Sequence, residues 1–382
     1  MKQRILAIIL AFALAACGLP AARAEGVEVA APSAILMDAA TGTVLFEKNA
    51  HEKLAPASVT KVMTLLLVME ALESGRISWD DMVTASETAA GKGGSQVYLE
   101  VGEQMSMDEM LKSVVVSSAN DCATALAEHV AGSEAAFVEL MNARAAELGM
   151  QDTHFVNCTG LADEPNAAEH LTSAYDIAVM SRELLRHEEI KKYTTIWMDT
   201  VRGGQFGLSN TNKLVRFYNG TTGLKTGYTK AAGHCLSASA ERDGIELIAV
   251  VLHCDSSADR FQSAKALLDY GFANYALVSA ETPEPLAPVQ VMLGVLGLVT
   301  PVLQASSPIL VGKGELARVT KTVTVAQEVT APVAAGQQLG TMTIEADGRT
   351  LAEIPIIASA AVERLTLWEL TVRLLRRTCM GG

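Results

Sequence analysis

The sequence predicts a chain of the α+β class, with one mixed domain, a small all-β domain and a C-terminal amphipathic helix. Three observations lead to this class. Strand patterns occur early and late in the first 275 residues, on either side of a long stretch of helical patterns. The proline-rich segment 282–285 is followed by short β-rich runs. Residues 360–377 then show a helical period with one apolar face.

The overall composition limits the class of protein. The 382 residues are 49% hydrophobic and 19% charged, which excludes disorder for most of the chain. The formal net charge is −13, so we expect no nucleic-acid partner, because such surfaces need Lys and Arg to neutralise phosphates. Aromatic residues make up only 5%, which disfavours a surface that stacks on bases or sugars.

The N-terminus predicts export. Met1–Arg4 is basic, Ile5–Ala16 is apolar, and Ala22–Ala24 fits a small-x-small cleavage site. These features predict a signal peptide over residues 1–24, because the apolar run is too short to cross a bilayer as a helix. An uncleaved anchor is one alternative, and Leu14–Cys17 also resembles a lipoprotein box.

The first domain, residues 25–278, is expected to build one sheet from both of its ends. A hairpin around Thr41-Gly42 begins the domain. The helix after Pro56 is apolar almost all round, so it should be buried. The predicted strands are Ser33–Met37, Thr43–Glu47, Leu224–Thr226, Cys235–Ser239 and Glu246–Leu252, and the predicted helices are Pro56–Gly75, Met107–Val116, Cys122–Val130, Glu134–Leu148, Ser173–His187 and Asp259–Tyr270, the last ended by Gly271.

The second domain, residues 286–358, is expected to be a small β-rich unit. Strands are predicted at Leu316–Val325, Gln338–Ile344 and Ala352–Ile357, with a turn at Asp347-Gly348. The segment Val289–Leu303 is very apolar but is interrupted by two glycines and a proline. We interpret it as buried strands rather than as a membrane span.

The tail, residues 359–382, is expected to be a membrane-anchoring amphipathic helix. Its apolar face carries a tryptophan, and its opposite face carries arginines that suit anionic headgroups. A helix docked on the protein itself is the alternative. We therefore expect the exported chain to be anchored peripherally at the outer face of the cytoplasmic membrane. The apolar face comprises Leu365, Leu367, Trp368, Leu370, Val372, Leu374 and Leu375, and the polar face Thr366, Glu369, Arg373, Arg376 and Arg377.

The cysteines do not form a disulfide scaffold or a metal site. Five follow the predicted signal peptide, at irregular spacing, and the chain has no CxxC or HExxH motif, so no metal is expected. Cys235 and Cys254 flank a predicted hairpin turn at Asp243-Gly244. They could form a disulfide in an oxidising compartment, or remain two buried thiols.

Three short motifs carry candidate chemistry. Ser58 and Lys61 stand at i and i+3 at the start of the buried helix, so the lysine can reach the hydroxyl. A serine needs such a base, and a buried lysine can be neutral enough to serve. Ser118-Ala119-Asn120 could place a hydroxyl and an amide into a cleft, or simply cap a helix. Lys225-Thr226-Gly227 on an edge strand could bind a carboxylate.

In this order, the three motifs resemble the SxxK, SxN and KTG motifs of penicillin-binding proteins and serine β-lactamases. The neighbouring residues are most similar to the low-molecular-mass D-alanyl-D-alanine carboxypeptidases over residues 30–275, and more loosely over the β domain and tail. Ala119, where glycine is commoner, and Cys158 depart from that pattern. The quoted segments are Pro56–Thr64, Ser118–Asp121, Thr172–Asp176, Asn210–Leu214 and Gly223–Thr229.

The resemblance implies a β-lactamase/transpeptidase-like fold and an enzyme that trims the terminal D-alanine from peptidoglycan stem peptides. It also implies acylation by β-lactams and no cofactor. Ser58 would be the nucleophile and Lys61 its base, with Ser118 relaying protons. Among the implied binding residues, Asn120 would hold the substrate amide and Lys225 would supply positive charge. Thr226 and Gly227 would bind the substrate strand. The N–H groups of Tyr228 and Ser58 would form the oxyanion hole, and Arg260 would bind the terminal carboxylate.

Several alternatives remain open from the sequence. Arg260 could be an ordinary surface arginine. His170 and Asp176 lie in a segment that resembles a family loop near the site, although helix capping is the simpler interpretation. Glu164-Pro165-Asn166 superficially resembles the water-activating loop of a β-lactamase. A penicillin-binding endopeptidase, or a wall-binding protein with a degenerate site, is also compatible with parts of the sequence.

Overall fold

The computed structural model describes residues 27–380, so the predicted signal peptide lies outside the described residues. The chain divides into two compact units between Gly271 and Phe272. No helix of the described part is long and apolar enough to cross a membrane.

One antiparallel sheet organises the first unit. Its strand order is β2-β1-β9-β8-β7, so the two ends of the unit meet in it, as the sequence predicts. The Asp243-Gly244 turn joins β8 to β9 with positive φ at both residues, the geometry that a two-residue hairpin requires. In chain order the strands of the unit are β1 (Ser33–Asp38), β2 (Val44–Lys48), β3 (Met82–Thr84), β4 (Gln104–Ser106), β5 (Met198–Val201), β6 (Phe206–Ser209), β7 (Thr221–Thr229), β8 (Gly233–Arg242) and β9 (Ile245–Cys254).

The helices of the first unit surround one buried helix, α1. Nearly every side chain of α1 is buried, because it packs against α4, α5 and α6, and α6 also contacts the sheet. α3 has the predicted bounds, and its N-cap is Ser106, whose hydroxyl accepts from the Glu109 N–H. The helices are α1 (Lys61–Glu73), α2 (Glu87–Ala90), α3 (Met107–Val116), α4 (Asn120–Ala131), α5 (Glu134–Glu147), α6 (Ala174–Leu185), α7 (Lys191–Thr194), α8 (Leu214–Phe217) and α9 (Ser257–Asn274).

Gly271 does not end the last helix of this unit, and that prediction was wrong. α9 continues to Asn274. A Cβ built on Gly271 would lie 2.4 Å from Leu247 Cδ1 and 3.0 Å from Leu36 Cδ2. Glycine stands there because the helix lies very close to the apolar face of the sheet, not because the chain turns.

The second unit is built from antiparallel β-structure, with one parallel strand pair. β17 and β18 are joined by Asp347-Gly348, again with positive φ at both residues. Tyr275–Val278, at the end of the predicted first domain, pairs with β14 of this unit. The elements are β10 (Tyr275–Val278), β11 (Val289–Met292), β12 (Leu298–Val299), β13 (Pro301–Leu303), β14 (Ile309–Gly312), β15 (Val319–Val325), β16 (Glu328–Thr330), β17 (Gln338–Ala346), β18 (Arg349–Ala358) and α10 (Leu367–Met380).

The segment Val289–Leu303 forms strands, but only part of it is buried. Val289, Val291 and Val299 lie in a small apolar core. The side chains of the turn between β11 and β12 are instead exposed. The prediction is therefore correct that strands form here, but these strands are buried on one face only, since Met292, Leu298 and Val302 are exposed.

The tail helix begins later than the period predicts. Val362 and Arg364 make β-bridges with Val333 and Gly294, so this part of the chain is extended. Thr366 and Glu369 then form a reciprocal cap: the Glu369 N–H donates to Thr366 Oγ1, and the Thr366 N–H donates to Glu369 Oε2. The cap explains why α10 starts at Leu367.

We expect Gly271→Leu to destabilise the first unit although leucine is a good helix former. Helix propensity alone would add nearly 1 kcal/mol, but the side chain has no room against Leu36 and Leu247, which we expect to cost about 2–3 kcal/mol. Urea unfolding followed by circular dichroism measures the difference. The control is Gly207→Leu, where a Cβ meets nothing within 4 Å. An unchanged midpoint for Gly271→Leu would contradict the close-packing explanation.

Candidate active site

Ser58 lies in a strained turn at the start of the buried helix. The 3₁₀ turn Ala57–Thr60 runs directly into α1, and Ala57 has φ of 48°, an unusual value for a residue with a side chain. A Cβ on Gly227 of β7 would lie 2.6 Å from the Pro56 carbonyl oxygen. Only glycine lets the strand approach the turn so closely. Ser58 is thus held between the helix and the sheet, with its side chain partly exposed.

Lys61 is fully buried beneath Ser58. Its Nζ is 3.0 Å from Ser58 Oγ, 2.6 Å from Asn120 Oδ1 and 2.9 Å from the Thr159 carbonyl oxygen. These three partners surround the amine, and the i, i+3 spacing delivers the contact that the sequence predicts. The lysine is therefore fixed on the serine hydroxyl and has no access to solvent.

Burial changes the acid–base chemistry of Lys61. Desolvation lowers its pKa to about 7, although Cys158 and Asp121 act in the opposite direction. At neutral pH a large share of the amine is therefore uncharged. An uncharged amine in contact with a hydroxyl is a competent general base.

The second motif places Asn120 directly on this network. Asn120 is the first residue of α4, and its side-chain amide donates to the Gly93 carbonyl oxygen at 2.7 Å while its Oδ1 accepts from Lys61. Its backbone N–H donates to the Ser95 carbonyl oxygen. Ser118, which is only 4% exposed, stands in the turn before α4 with φ of 62°. The simple helix-cap interpretation does not describe this turn, because no side chain caps α4.

The third motif lies on β7, an edge strand of the sheet. The Lys225 amine is buried and donates to the Thr226 carbonyl oxygen. Burial, and then the positive charges of Lys61 and Arg260, hold the pKa of Lys225 well below its usual value. Thr226 Oγ1 donates to Thr211 Oγ1. Tyr228 is exposed and stacks on His234, with ring centroids 4.3 Å apart.

Arg260 is not a surface arginine. It is 7% exposed and donates to the carbonyl oxygens of Gly227 and Cys235, at 3.1 and 3.3 Å. Its Nε is buried without a hydrogen-bond partner, and no carboxylate within residues 27–380 forms an ion pair with it. Burial lowers the pKa of Arg260. A buried cation beside the third motif, without a counter-ion, is a ready receptor for an anionic ligand group.

Sequence reasoning missed the role of His170. Ser173, not His170 or Asp176, caps α6. The Val156 N–H donates to His170 Nδ1, so the ring proton is on Nε2 and points to Thr60 Oγ1, 2.7 Å away. Burial, and then His154, lower the pKa of His170 to about 4, so the ring is neutral. Because Thr60 also donates to the Ala57 carbonyl oxygen, His170 braces the nucleophile turn.

Asp176 does not contact the nucleophile turn but binds the loop that contains Asp152 and Thr153. Its carboxylate accepts from the Asp152 N–H and from the Thr153 hydroxyl. No sequence signal separates these roles, because both residues lie in one short segment whose partners are distant in the chain.

Glu164 is held by an ion pair rather than free to activate water. Lys92 Nζ lies 2.5 Å from Glu164 Oε1 and 2.7 Å from Glu134 Oε2. Glu134 in turn accepts from the N–H of Cys158, which precedes the Thr159 carbonyl that holds Lys61. The segment that superficially resembles a β-lactamase loop therefore contributes Glu164 to a structural cluster of ion pairs. Its members are up to 72 residues apart, so the sequence gives no sign of it.

Four cysteines, Cys122, Cys158, Cys235 and Cys254, are free and buried. Cys254 pairs with His234 across β8 and β9, and Cys235 falls in a bulge of the ladder. The two thiols are therefore not directly opposite each other, in agreement with the interpretation as buried thiols.

Comparisons with known proteins match most of the chain. A family model described as D-alanyl-D-alanine carboxypeptidase matches residues 20–256. A second, described as the C-terminal domain of penicillin-binding protein 5, matches residues 298–364. The D-alanyl-D-alanine carboxypeptidase DacF of Bacillus subtilis is 42% identical over 339 residues, which cover 87% of this chain and 86% of that protein.

Solved structures show the same fold. Penicillin-binding protein 5 from Haemophilus influenzae has a TM-score of 0.71 and 31% identity, and the match covers 88% of this chain and 98% of that one. Penicillin-binding protein D2 from Listeria monocytogenes in its ampicillin-bound form has a TM-score of 0.58 and 30% identity, covering 64% of this chain and 98% of that one. The predicted α+β fold is confirmed.

The buried amine should make stability depend on pH. Because the pKa of Lys61 is lower in the folded chain, the unfolded chain binds more protons above about pH 7, and the free energy of unfolding should rise with pH there. Below about pH 7 the folded chain carries the full free-energy cost of a buried, charged Lys61. Relative to Lys61→Met, the native chain should gain roughly 2 kcal/mol between about pH 7 and pH 9.

Urea unfolding of both proteins across this pH range measures the gain. Lys53→Met, which removes an exposed amine, should follow the native pH dependence. Parallel curves for the native chain and Lys61→Met would show that the folded-state pKa of Lys61 is not lowered.

Proposed function

Because the chain belongs to the D-alanyl-D-alanine carboxypeptidase family, we propose that Ser58 is the nucleophile of its reaction and Lys61 the base. The chain is a serine-type D-alanyl-D-alanine carboxypeptidase, related to penicillin-binding proteins along most of its length. The observation that carries the residue assignment is the 3.0 Å contact between Ser58 Oγ and the fully buried Lys61 amine.

The first step is acylation of the serine. The neutral Lys61 amine takes the hydroxyl proton while Ser58 Oγ attacks the carbonyl carbon between the two terminal D-alanines. The backbone N–H groups of Ser58 and Tyr228 stabilise the oxyanion. The C–N bond then breaks, the departing amine takes a proton, and Ser118, in the turn before Asn120, relays it.

Water then completes the reaction. It attacks the ester carbonyl of the acyl-enzyme and gives its proton to the same base, so Ser58 Oγ leaves with a proton and the shortened peptide is released. The balance is one peptide bond broken and one water consumed. Asn120 keeps Lys61 on the hydroxyl through both steps, because its Oδ1 is held 2.6 Å from the amine.

The substrate is proposed to bind along the edge of β7. An edge strand offers free backbone N–H and C=O groups to an extended peptide, and Gly227 lets this strand lie directly against the turn that carries Ser58. A cleft of about 480 Å³ borders this region and is lined by Ala57, Gly160 and Thr229 among others. Lys225 and Thr226 stand on the same strand, so both are proposed to contact the bound peptide.

Arg260 is proposed to receive the terminal carboxylate. Its guanidinium is buried, lacks a counter-ion among the described residues and touches the Gly227 carbonyl of the motif strand. A free carboxylate would supply the missing negative charge and can pair with a guanidinium through two hydrogen bonds. This arrangement favours removal of a C-terminal residue.

We further propose that β-lactams acylate Ser58, as the ampicillin-bound Listeria relative suggests. Residues 25–278 would form the catalytic domain, 286–358 the β-rich domain and 359–382 the anchor. Export through the signal peptide 1–24 would place the enzyme where peptidoglycan is found. Support for the anchor comes from α10, whose Leu367 and Trp368 side chains are exposed.

Mass spectrometry after incubation of residues 25–382 with benzylpenicillin tests the nucleophile. We expect a stable penicilloyl adduct on Ser58, and none in Ser58→Ala. Release of D-alanine from a pentapeptide should fall about a thousandfold or more in that variant, because the covalent route is lost. Ser74→Ala, at the other end of α1, should behave like the native chain. An adduct on another residue, or full activity of Ser58→Ala, would refute the assignment.

Replacement of the buried arginine tests carboxylate recognition. Arg260→Gln should lower kcat/KM for a peptide ending in a free carboxylate by about 10- to 100-fold, the value of a charged hydrogen-bonded contact. The same peptide with a C-terminal amide should be a poor substrate for both proteins. The variant should therefore discriminate less between the carboxylate and the amide peptide. Arg186→Gln, at an exposed site, is the control. Equal losses on both peptides would indicate a structural role for Arg260 instead.

A further inference from the structure

The turn between β11 and β12 exposes an unusual set of side chains. This segment, residues 292–298, is called the apolar loop below. It carries five large apolar residues, and each of them is exposed, with Leu296 at 59%. No Asp, Glu, Lys or Arg occurs anywhere between residues 285 and 312. Exposed apolar patches of this kind mark interaction surfaces. The five residues are Met292, Leu293, Val295, Leu296 and Leu298.

The apolar loop is held in one conformation. Leu293 has φ of 59°, which a leucine adopts only when its surroundings impose it. A Cβ on Gly294 would lie 2.6 Å from the Leu296 carbonyl oxygen and 2.7 Å from Val291 Cγ1. The loop is therefore packed from beneath, so its exposed leucines are presented by a fixed backbone.

The apolar loop is joined to the tail through hydrogen bonds. The Arg373 guanidinium of α10 donates to the carbonyl oxygens of Gly294 and Val295 at 3.2 and 2.8 Å. The Val295 N–H donates to Glu363, and the Leu365 N–H donates to Leu293. The loop is therefore in direct contact with the segment before α10 and with the second turn of α10.

These contacts also pair several backbone groups of the apolar loop. Carbonyl oxygens at Leu293, Gly294 and Val295 all accept hydrogen bonds, and the Gly297 carbonyl accepts from the Val291 N–H. An apolar medium penalises unpaired backbone groups heavily, so such pairing is what a segment that enters lipid needs.

We propose that the apolar loop inserts into the membrane surface beside α10, as a second lipid contact of this chain. The partner is a lipid bilayer with anionic headgroups. The residues of the tail after 358 include four arginines and two glutamates, a positive segment at the end of an acidic chain. Trp368 of α10, which is 76% exposed, suits the interfacial region, and the leucines of the apolar loop suit the acyl boundary. The inference rests on the proposed anchoring by α10.

Co-sedimentation with vesicles of equal parts phosphatidylethanolamine and phosphatidylglycerol tests the inference on residues 25–382. Leu296→Glu should lower the partition coefficient about tenfold, since one exposed leucine is lost from the lipid contact, and Leu296→Glu with Leu298→Glu should lower it further. Leu316→Glu replaces a leucine exposed elsewhere in the same unit and should leave partitioning unchanged. Leu367→Glu with Trp368→Glu reports on α10 alone. Unchanged far-ultraviolet circular dichroism and an unchanged urea-unfolding midpoint verify that each variant is folded, since the substitutions lie in the second unit and acylation reports on the first.

The outcomes separate the two proposals. In one outcome the α10 variant loses vesicle binding, while the loop variants bind vesicles as well as Leu316→Glu does. This outcome would overturn insertion of the apolar loop and leave anchoring by α10 intact. No binding by the native sequence would overturn both. A lipid-free dimer of the native chain that Leu296→Glu converts to a monomer would show that the patch is a protein interface instead.

Discussion

The rest of the site depends on a lysine amine held without water between a serine hydroxyl and an asparagine oxygen. Removing an ammonium group from water is costly, so Lys61 is tolerated only because three acceptors surround it and because it can lose its proton. The helices packed around α1 keep the Lys61 amine away from solvent. α1 is buried on all sides, and the start of α4 brings Asn120 onto the amine. Burial thus leaves a large share of the amine unprotonated near neutral pH, which is what lets it accept the serine proton.

Three basic side chains are concentrated around the same serine. Lys61, Lys225 and Arg260 are all buried, and burial lowers the pKa of each. No described carboxylate pairs with Arg260. Such a cluster is unfavourable in the empty site, and it becomes favourable when an anionic group binds. The binding of an anionic ligand group would therefore relieve an electrostatic cost that the empty site carries.

The sequence predicted what depends on local spacing and failed where distant segments decide. The Ser58–Lys61 contact follows from helical geometry, and α3 has the predicted bounds because Ser106 caps it. Gly271 was misjudged because a glycine that permits close packing looks the same in the sequence as one that ends a helix. The bracing by His170 was missed because its partner lies 110 residues away. Each error concerns a contact that only the folded chain creates.

The proposed anchor is a single short amphipathic helix, and such a helix alone binds a membrane weakly. α10 has 14 residues, near the length at which an isolated helix is marginal in water. Its cap at Thr366 and the hydrogen bonds of Arg373 hold the first turns in place before any lipid is met. One lipid contact gives marginal, reversible binding, whereas two on the same rigid element reinforce each other. An apolar loop fixed beside the helix would supply the second contact without an added span, so the strain at Leu293 and the unpartnered leucines have a common explanation.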